Sequence, residues 1–146
     1  MALLVGAAAV WFAASGDGSL VDVAAAFGRT VVVGLVGSFA VHEVAHVVLL
    51  RRIPGITHIT LERTSFRFSV VPVGTLTARQ VGLVAVAGPG ACLLTVPAWW
   101  VALPGSGLAW WYAAHVVFLV PVFADGRLLL ASVRSGALGR DRRMTE

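Results

Sequence analysis

The chain has no lysine and one cysteine among its 146 residues, and only 12% of its residues are charged. A single cysteine excludes both a disulfide framework and the zinc sites that are built from several cysteines. The eleven basic residues are all arginines, and they stand at the ends of apolar runs rather than in a polar patch interleaved with aromatic residues. We therefore exclude nucleic acid as a partner.

Apolar residues make up 58% of the chain, and the mean hydropathy is +0.89, as in integral membrane proteins. One apolar run holds 21 residues, which as a helix span about 31 Å, the thickness of the hydrocarbon core of a bilayer. The sequence thus predicts a single all-α membrane domain over residues 1–146, with a cytoplasmic tail at 134–146. We expect about four transmembrane helices, near 2–14, 30–50, 81–103 and 108–133.

Two shorter segments complete this organisation. Residues 19–28 are expected to form a short interfacial helix that ends at Gly28. Polar and apolar residues alternate over about 56–72, which predicts a β-hairpin at the membrane surface. Its open edge could accept an extended peptide as a further strand, although a hairpin that only links two helices fits the same pattern.

Arginine placement predicts the orientation in the membrane. Five arginines lie between positions 51 and 79 and more follow position 126, whereas the turns at 15–22 and 104–107 contain none. By the positive-inside rule, both termini and the central connector are cytoplasmic. We expect a multi-pass protein of a bacterial cell membrane whose site opens to the cytoplasm.

The run from His42 to His46 carries charge into an apolar segment. On a helix His42 and His46 share one face and could grip a metal, while Glu43 could reach a water beside it. An uncompensated charge at mid-bilayer costs roughly 2.5–3.5 kcal/mol, which zinc binding can offset and a single hydrogen bond cannot. The alternative is a pair of buried, hydrogen-bonded histidines.

A catalytic zinc usually takes a third protein ligand. Asp125 is favoured, because Pro121 and Gly126 loosen its helix and its depth matches that of the histidines. A salt bridge from Asp125 to Arg127 or Arg134 is the alternative for that carboxylate. The other candidate ligands in apolar surroundings are His115, Cys92 and, less plausibly, His58.

A third feature, Gly88-Pro89, lies in the middle of the apolar run 81–103. The proline removes a backbone hydrogen bond and the glycine permits close approach, as expected beside a hydrated metal site. A simple packing kink explains the pair equally well.

Taken together, these three motifs resemble the site-2 protease family of intramembrane zinc metalloproteases, over roughly residues 30–133. The resemblance implies that His42, His46 and Asp125 bind zinc and that Glu43 is the catalytic base. It also places Gly88 and Pro89 near the substrate path, where Cys92 stands in place of the family's usual asparagine. His115 is expected either to form a hydrogen bond within the helix bundle or to line the cavity.

The implied function is that of a zinc metalloendopeptidase which cuts the transmembrane segment of a single-span membrane protein, in regulated intramembrane proteolysis. This would be a minimal member without a regulatory domain, with the lipid bilayer as a partner and self-association left open. The alternatives are an inactive zinc-binding membrane scaffold or accessory subunit, and a metal or proton transporter that uses the same ionisable groups as a relay.

Overall fold

The computed structural model describes residues 2–63 and 68–137 of the chain. This part is mostly helical and contains one two-stranded antiparallel sheet. In chain order the elements are α1 (Ala2–Ser15), α2 (Ser19–Leu50), β1 (Ile56–Arg63), β2 (Phe68–Gly74), α3 (Ala78–Ala102), α4 (Leu108–Leu119) and α5 (Ala124–Ala137). The expected all-α domain with a small hairpin is thus confirmed at this level.

The described helices include fewer candidate membrane spans than the four that the sequence suggests. Helices α2 and α3 are long and apolar enough to cross a bilayer, and the bent pair α4 and α5 would count as a third span at most. Helix α1 has 14 residues, or about 21 Å at 1.5 Å per residue, and is therefore shorter than the hydrocarbon core. The predicted span 2–14 was already short in the sequence, and the helix is only one residue longer.

Helix α2 is continuous, so the expectation of a separate interfacial helix at 19–28 is wrong. A glycine ends a helix when it adopts a left-handed conformation, and Gly28 does not do so. The middle of α2 widens into a π-helix over Thr30–Gly37. The hydroxyl of Tyr112 on α4 donates a hydrogen bond to the Val33 carbonyl in this wide turn, at 3.1 Å. This contact attaches α4 to α2 just before the histidine run.

Helix α3 begins with a capping box, in which Thr77 Oγ1 accepts from the Gln80 backbone at 3.3 Å and Gln80 Oε1 accepts from the Thr77 backbone at 2.8 Å. Its buried face repeats every three or four residues and consists largely of small side chains: Ala78, Val81, Gly82, Ala85, Gly88, Pro89 and Cys92. Small residues allow the neighbouring backbones to approach closely, and α3 contacts both α2 and α5. This central position makes α3 one wall of the site.

The predicted continuous helix at 108–133 is wrong, because the chain breaks between α4 and α5. The last turns of α4, Ala114–Leu119, tighten into a 3₁₀-helix, and Val120 is extended with φ −70° and ψ 136°. A residue before proline avoids the helical region, and Pro121 follows directly. The two helices meet at an angle of 45°. The new direction of α5 determines where its first turn lies.

The hairpin is confirmed, with β1 and β2 paired antiparallel from Ile56 opposite Gly74 to Arg63 opposite Phe68. A bulge interrupts the register between Ile56 and His58. The turn at residues 64–67 and the part of the expected tail at 138–146 lie outside the described residues. Residues 134–137, also assigned to the tail, belong to α5.

Candidate metal centre

His42 and His46 lie in the last α-helical part of α2, and their side chains point into the interior of the helix bundle. Both residues are buried, at 5% and 7% exposure, and their Nε2 atoms are 3.1 Å apart. One helical turn separates them, so the two rings lie one above the other on the same face. The predicted alignment of the two imidazoles is therefore present.

Asp125 reaches the same point from the first turn of α5. Its Oδ2 lies 3.1 Å from Nε2 of His42 and 3.6 Å from Nε2 of His46. Arg127, offered above as an alternative partner, instead donates from Nη1 to the Val122 carbonyl at 2.6 Å. Within the described part of the chain, the two histidines are the ion-pair partners of Asp125.

Hydrogen bonds satisfy these three atoms poorly. If both Nε2 atoms carry protons and donate to Oδ2 of Asp125, the contact from His46 at 3.6 Å is too long for a hydrogen bond, and the two N–H groups lie only 3.1 Å apart. If Nε2 of His42 carries its proton and donates to Asp125, it has no lone pair left to accept from His46. If it accepts from His46, its lone pair faces the carboxylate oxygen 3.1 Å away, which is repulsive. The chemistry of the donor set therefore fits a central cation, which accepts a lone pair from each atom.

The spacing of the donors also fits a tetrahedral metal. Zinc binds histidine nitrogen and carboxylate oxygen at about 2.0–2.2 Å, so neighbouring ligand atoms in a tetrahedron are about 3.3–3.5 Å apart. The three separations observed here, 3.1, 3.1 and 3.6 Å, bracket that range. Three protein ligands leave a fourth position for water or substrate, as in catalytic zinc sites.

Gly88 on α3 provides the space in which the two imidazoles meet. A β-carbon at this position would lie 2.6 Å from Nε2 of His46 and 2.7 Å from Nε2 of His42. On the other side, the ring of Phe118 packs against His42 with centroids 5.2 Å apart. The donor group thus contacts a backbone surface on α3 and an aromatic ring on α4.

The remaining candidate residues occupy different places. Glu43 is half-buried on α2, and its carboxylate is not one of the clustered ligand atoms. His58 is exposed on β1, where its Nδ1 lies 3.2 Å from the Thr57 hydroxyl, so the hairpin does not supply the third ligand. Pro89 is buried in α3 beside Gly88.

The sequence offered Cys92 and His115 as alternatives for the third ligand, but it did not predict that they form a second group with His42. Cys92 and His115 are both buried, and their ligand atoms lie with one of His42 within 4.8 Å of one another. The sequence does indicate that Cys92 faces the histidines, because Cys92 follows Gly88 by four residues and so lies on the same face of the helix. The approach of His115 depends on how α4 packs, which spacing along the chain does not indicate.

Comparisons of this chain with protein-family models, with curated proteins and with solved structures found no match. Its function is therefore argued from the chemistry of the site.

Proposed function

We propose that this protein is an intramembrane zinc metalloprotease that hydrolyses peptide bonds in transmembrane segments of membrane protein substrates. The observation that carries the proposal is the convergence of His42, His46 and Asp125 on one buried point. Two histidines and one carboxylate form a common ligand set of hydrolytic zinc enzymes, and they leave one coordination position free. Donors separated by more than 75 positions along the chain meet here between α2 and α5.

His42, His46 and Asp125 would hold the zinc. When bound, a zinc ion supplies Lewis acidity, which polarises a carbonyl oxygen and makes water a stronger acid. The buried surroundings strengthen these electrostatic effects, because few water molecules remain to screen them. Gly88 keeps the two imidazoles free to point at the same spot.

Glu43 would act as the general base. It follows His42 directly on α2 and is half-buried, and its carboxylate is not one of the clustered ligand atoms, so it remains available to accept a proton. In the reaction the glutamate removes a proton from the attacking water, which adds to the peptide carbonyl carbon. Glu43 then passes that proton to the leaving nitrogen as the carbon–nitrogen bond breaks. One water is consumed, and a carboxylic acid and an amine are formed.

Membrane insertion is supported by the exposed apolar surface of the spans. Leu94 and Val101 on α3 are 83% and 85% exposed, and several valines on α2 are exposed as well. Contiguous apolar surface of this kind suits contact with lipid. A site buried between such helices would act on a substrate that also lies in the bilayer, and the arginine pattern favours a site that opens to the cytoplasm.

A single-span substrate must be unwound before its peptide bonds become accessible. The hairpin β1–β2 offers backbone groups at its edges, to which an extended segment could pair. The hairpin joins α2 to α3, the two helices that carry the histidines and Gly88. A substrate strand held there would lead toward the donor group.

Two substitutions separate the protease from a zinc-binding scaffold without activity. In cells that co-express a single-span substrate, we expect Glu43→Gln to keep zinc in the purified protein and to abolish cleavage. Asp125→Asn should lose both zinc binding and cleavage, because the uncharged amide is a weaker ligand than the carboxylate. The matched control is Asp22→Asn, which changes an exposed carboxylate on the same helix as Glu43.

The outcomes distinguish the candidates directly. Cleavage at the wild-type rate by Glu43→Gln would remove this residue from the role of base. Zinc bound by the wild type with no cleavage of any tested substrate would favour the scaffold. Undiminished zinc in Asp125→Asn would reassign the third ligand.

A further inference from the structure

We propose that Cys92, His115 and His42 form a second metal site, which binds a soft monovalent cation, Cu(I), as an alternative to zinc at the first site. The ligand atoms of these residues lie within 4.8 Å of one another, and all three side chains are buried. This site would exist whether or not the protein hydrolyses peptides. Its test is therefore independent of protease activity.

His115 is already oriented as a metal ligand. Its Nδ1 lies 3.0 Å from the Trp111 carbonyl, and a carbonyl can only accept, so the ring donates its proton there. The other nitrogen, Nε2, then carries a lone pair. The residue is only 4% exposed, and in the described part of the chain its Nε2 is buried and has no hydrogen-bond partner. Ligating histidines are usually fixed in this way by a hydrogen bond from the second ring nitrogen.

Cys92 supplies the soft ligand. It is fully buried, and its thiol donates a weak hydrogen bond to the Ser38 carbonyl at 3.3 Å. On metal binding the thiol proton is released to solvent and the sulfur binds as thiolate. Phe39 packs against the ring of His115 with centroids 5.1 Å apart, so the surroundings are apolar.

The ligand set suits Cu(I). One thiolate balances the charge of a monovalent cation and the two imidazoles are neutral, while the Asp125 carboxylate, with Oδ2 3.1 Å from Nε2 of His42, stays outside this set. Thiolate and imidazole are ligands that Cu(I) accepts readily. Magnesium and calcium are disfavoured, because they require several oxygen ligands.

His42 belongs to both groups, and this makes the two sites alternatives. A neutral imidazole has one nitrogen lone pair available for a metal, so His42 can serve one ion at a time. Copper at the second site would then remove a ligand from the first. We expect Cu(I) to displace zinc from the protein.

The experiment uses the full-length protein, purified in detergent and titrated anaerobically with Cu(I) against a competing chelator. X-ray absorption should show a copper–sulfur bond in the wild type that is absent from Cys92→Ser, because that loss distinguishes the thiolate from the two methionine thioethers of the chain. Cys92→Ser and His115→Phe should weaken Cu(I) binding by at least about tenfold and leave zinc binding intact. His46→Ala should lose zinc and still bind Cu(I), since His46 lies outside the second group.

Three results would overturn the proposal. Copper without a sulfur ligand in the wild type would show that the thiol is not involved. Equal Cu(I) affinity in Cys92→Ser and the wild type would have the same meaning. If copper bound while zinc stayed at full occupancy, His42 would not be a ligand shared between the two sites. Protease activity is not measured in any of these arms, so a failure here leaves the proposed function untouched.

Discussion

Replacing Gly88 by alanine tests whether the space between α3 and the two imidazoles is required for metal binding. The added methyl group would lie 2.6 Å from Nε2 of His46 and 2.7 Å from Nε2 of His42, whereas ordinary contact begins near 3.4 Å. Each nitrogen must therefore retreat by about 0.7–0.8 Å. Zinc–ligand distances vary by only about 0.2 Å, so both rings would leave their ligating positions.

The expected loss of affinity follows from the cost of holding both rings in place. A side chain rotated about 30° from its preferred conformation costs on the order of 0.5–1.5 kcal/mol. Two histidines forced back to the metal would together cost about 1–3 kcal/mol. Since about 1.4 kcal/mol corresponds to a factor of ten, zinc affinity should fall roughly 5- to 150-fold.

The assay is zinc affinity of the purified Gly88→Ala protein by competition with a chelator, together with its thermal unfolding. The control is Gly90→Ala, because a β-carbon at Gly90 of the same helix would meet no atom within 4 Å. Alanine in a helix is favoured over glycine by about 0.5–1 kcal/mol, so neither variant should unfold for reasons of helix propensity. If Gly88→Ala bound zinc as tightly as the wild type, the space between α3 and the two imidazoles would not be required for metal binding.

Two further predictions concern the packing that positions the site. Gly126→Ala should lower the free energy of unfolding by roughly 1–3 kcal/mol or more, because a β-carbon there would collide with the Val120 carbonyl. Thermal unfolding measures this loss. The control is Gly136→Ala in the same experiment, because a β-carbon at Gly136 would meet no atom within 4 Å. Tyr112→Phe should cost about 1 kcal/mol in that assay, because it removes the hydrogen bond to the Val33 carbonyl, and an unchanged stability would show that this bond contributes nothing.

Much of the fold and of the first ligand group could be predicted from the sequence. Alternation over 56–72 indicated the hairpin, and helical spacing placed His42 and His46 on one face, because these periods follow from backbone geometry. Asp125 was selected as a ligand by its depth and by its flexible neighbours, and the structure brings it to the histidines. Each of these inferences used local rules.

The errors arose from local signals that were given too little weight, as at Pro121, and from contacts between elements that the sequence does not display. The continuity of α2 through Gly28 depends on the absence of a left-handed turn, which composition does not reveal. The sharp break before α5 combines a proline with a tightened 3₁₀ turn, so a run of apolar residues was misread as one helix. The second ligand group needs α4 to bring His115 toward α3, a contact between elements that no spacing along the chain encodes.

Two of the glycines at which a β-carbon would collide with the rest of the chain, Gly88 and Gly126, adjoin the donor residues, and this relation links the fold to the chemistry. Gly88 makes room for the imidazoles on α3, and Gly126 allows the first turn of α5 to fold against the Val120 carbonyl. Neither glycine improves its own helix, since glycine is a poor helix former. A residue that destabilises its own helix is expected where function requires a geometry that regular packing would not produce. The broken helix is therefore best explained as the means by which the Asp125 carboxylate is turned toward the two histidines.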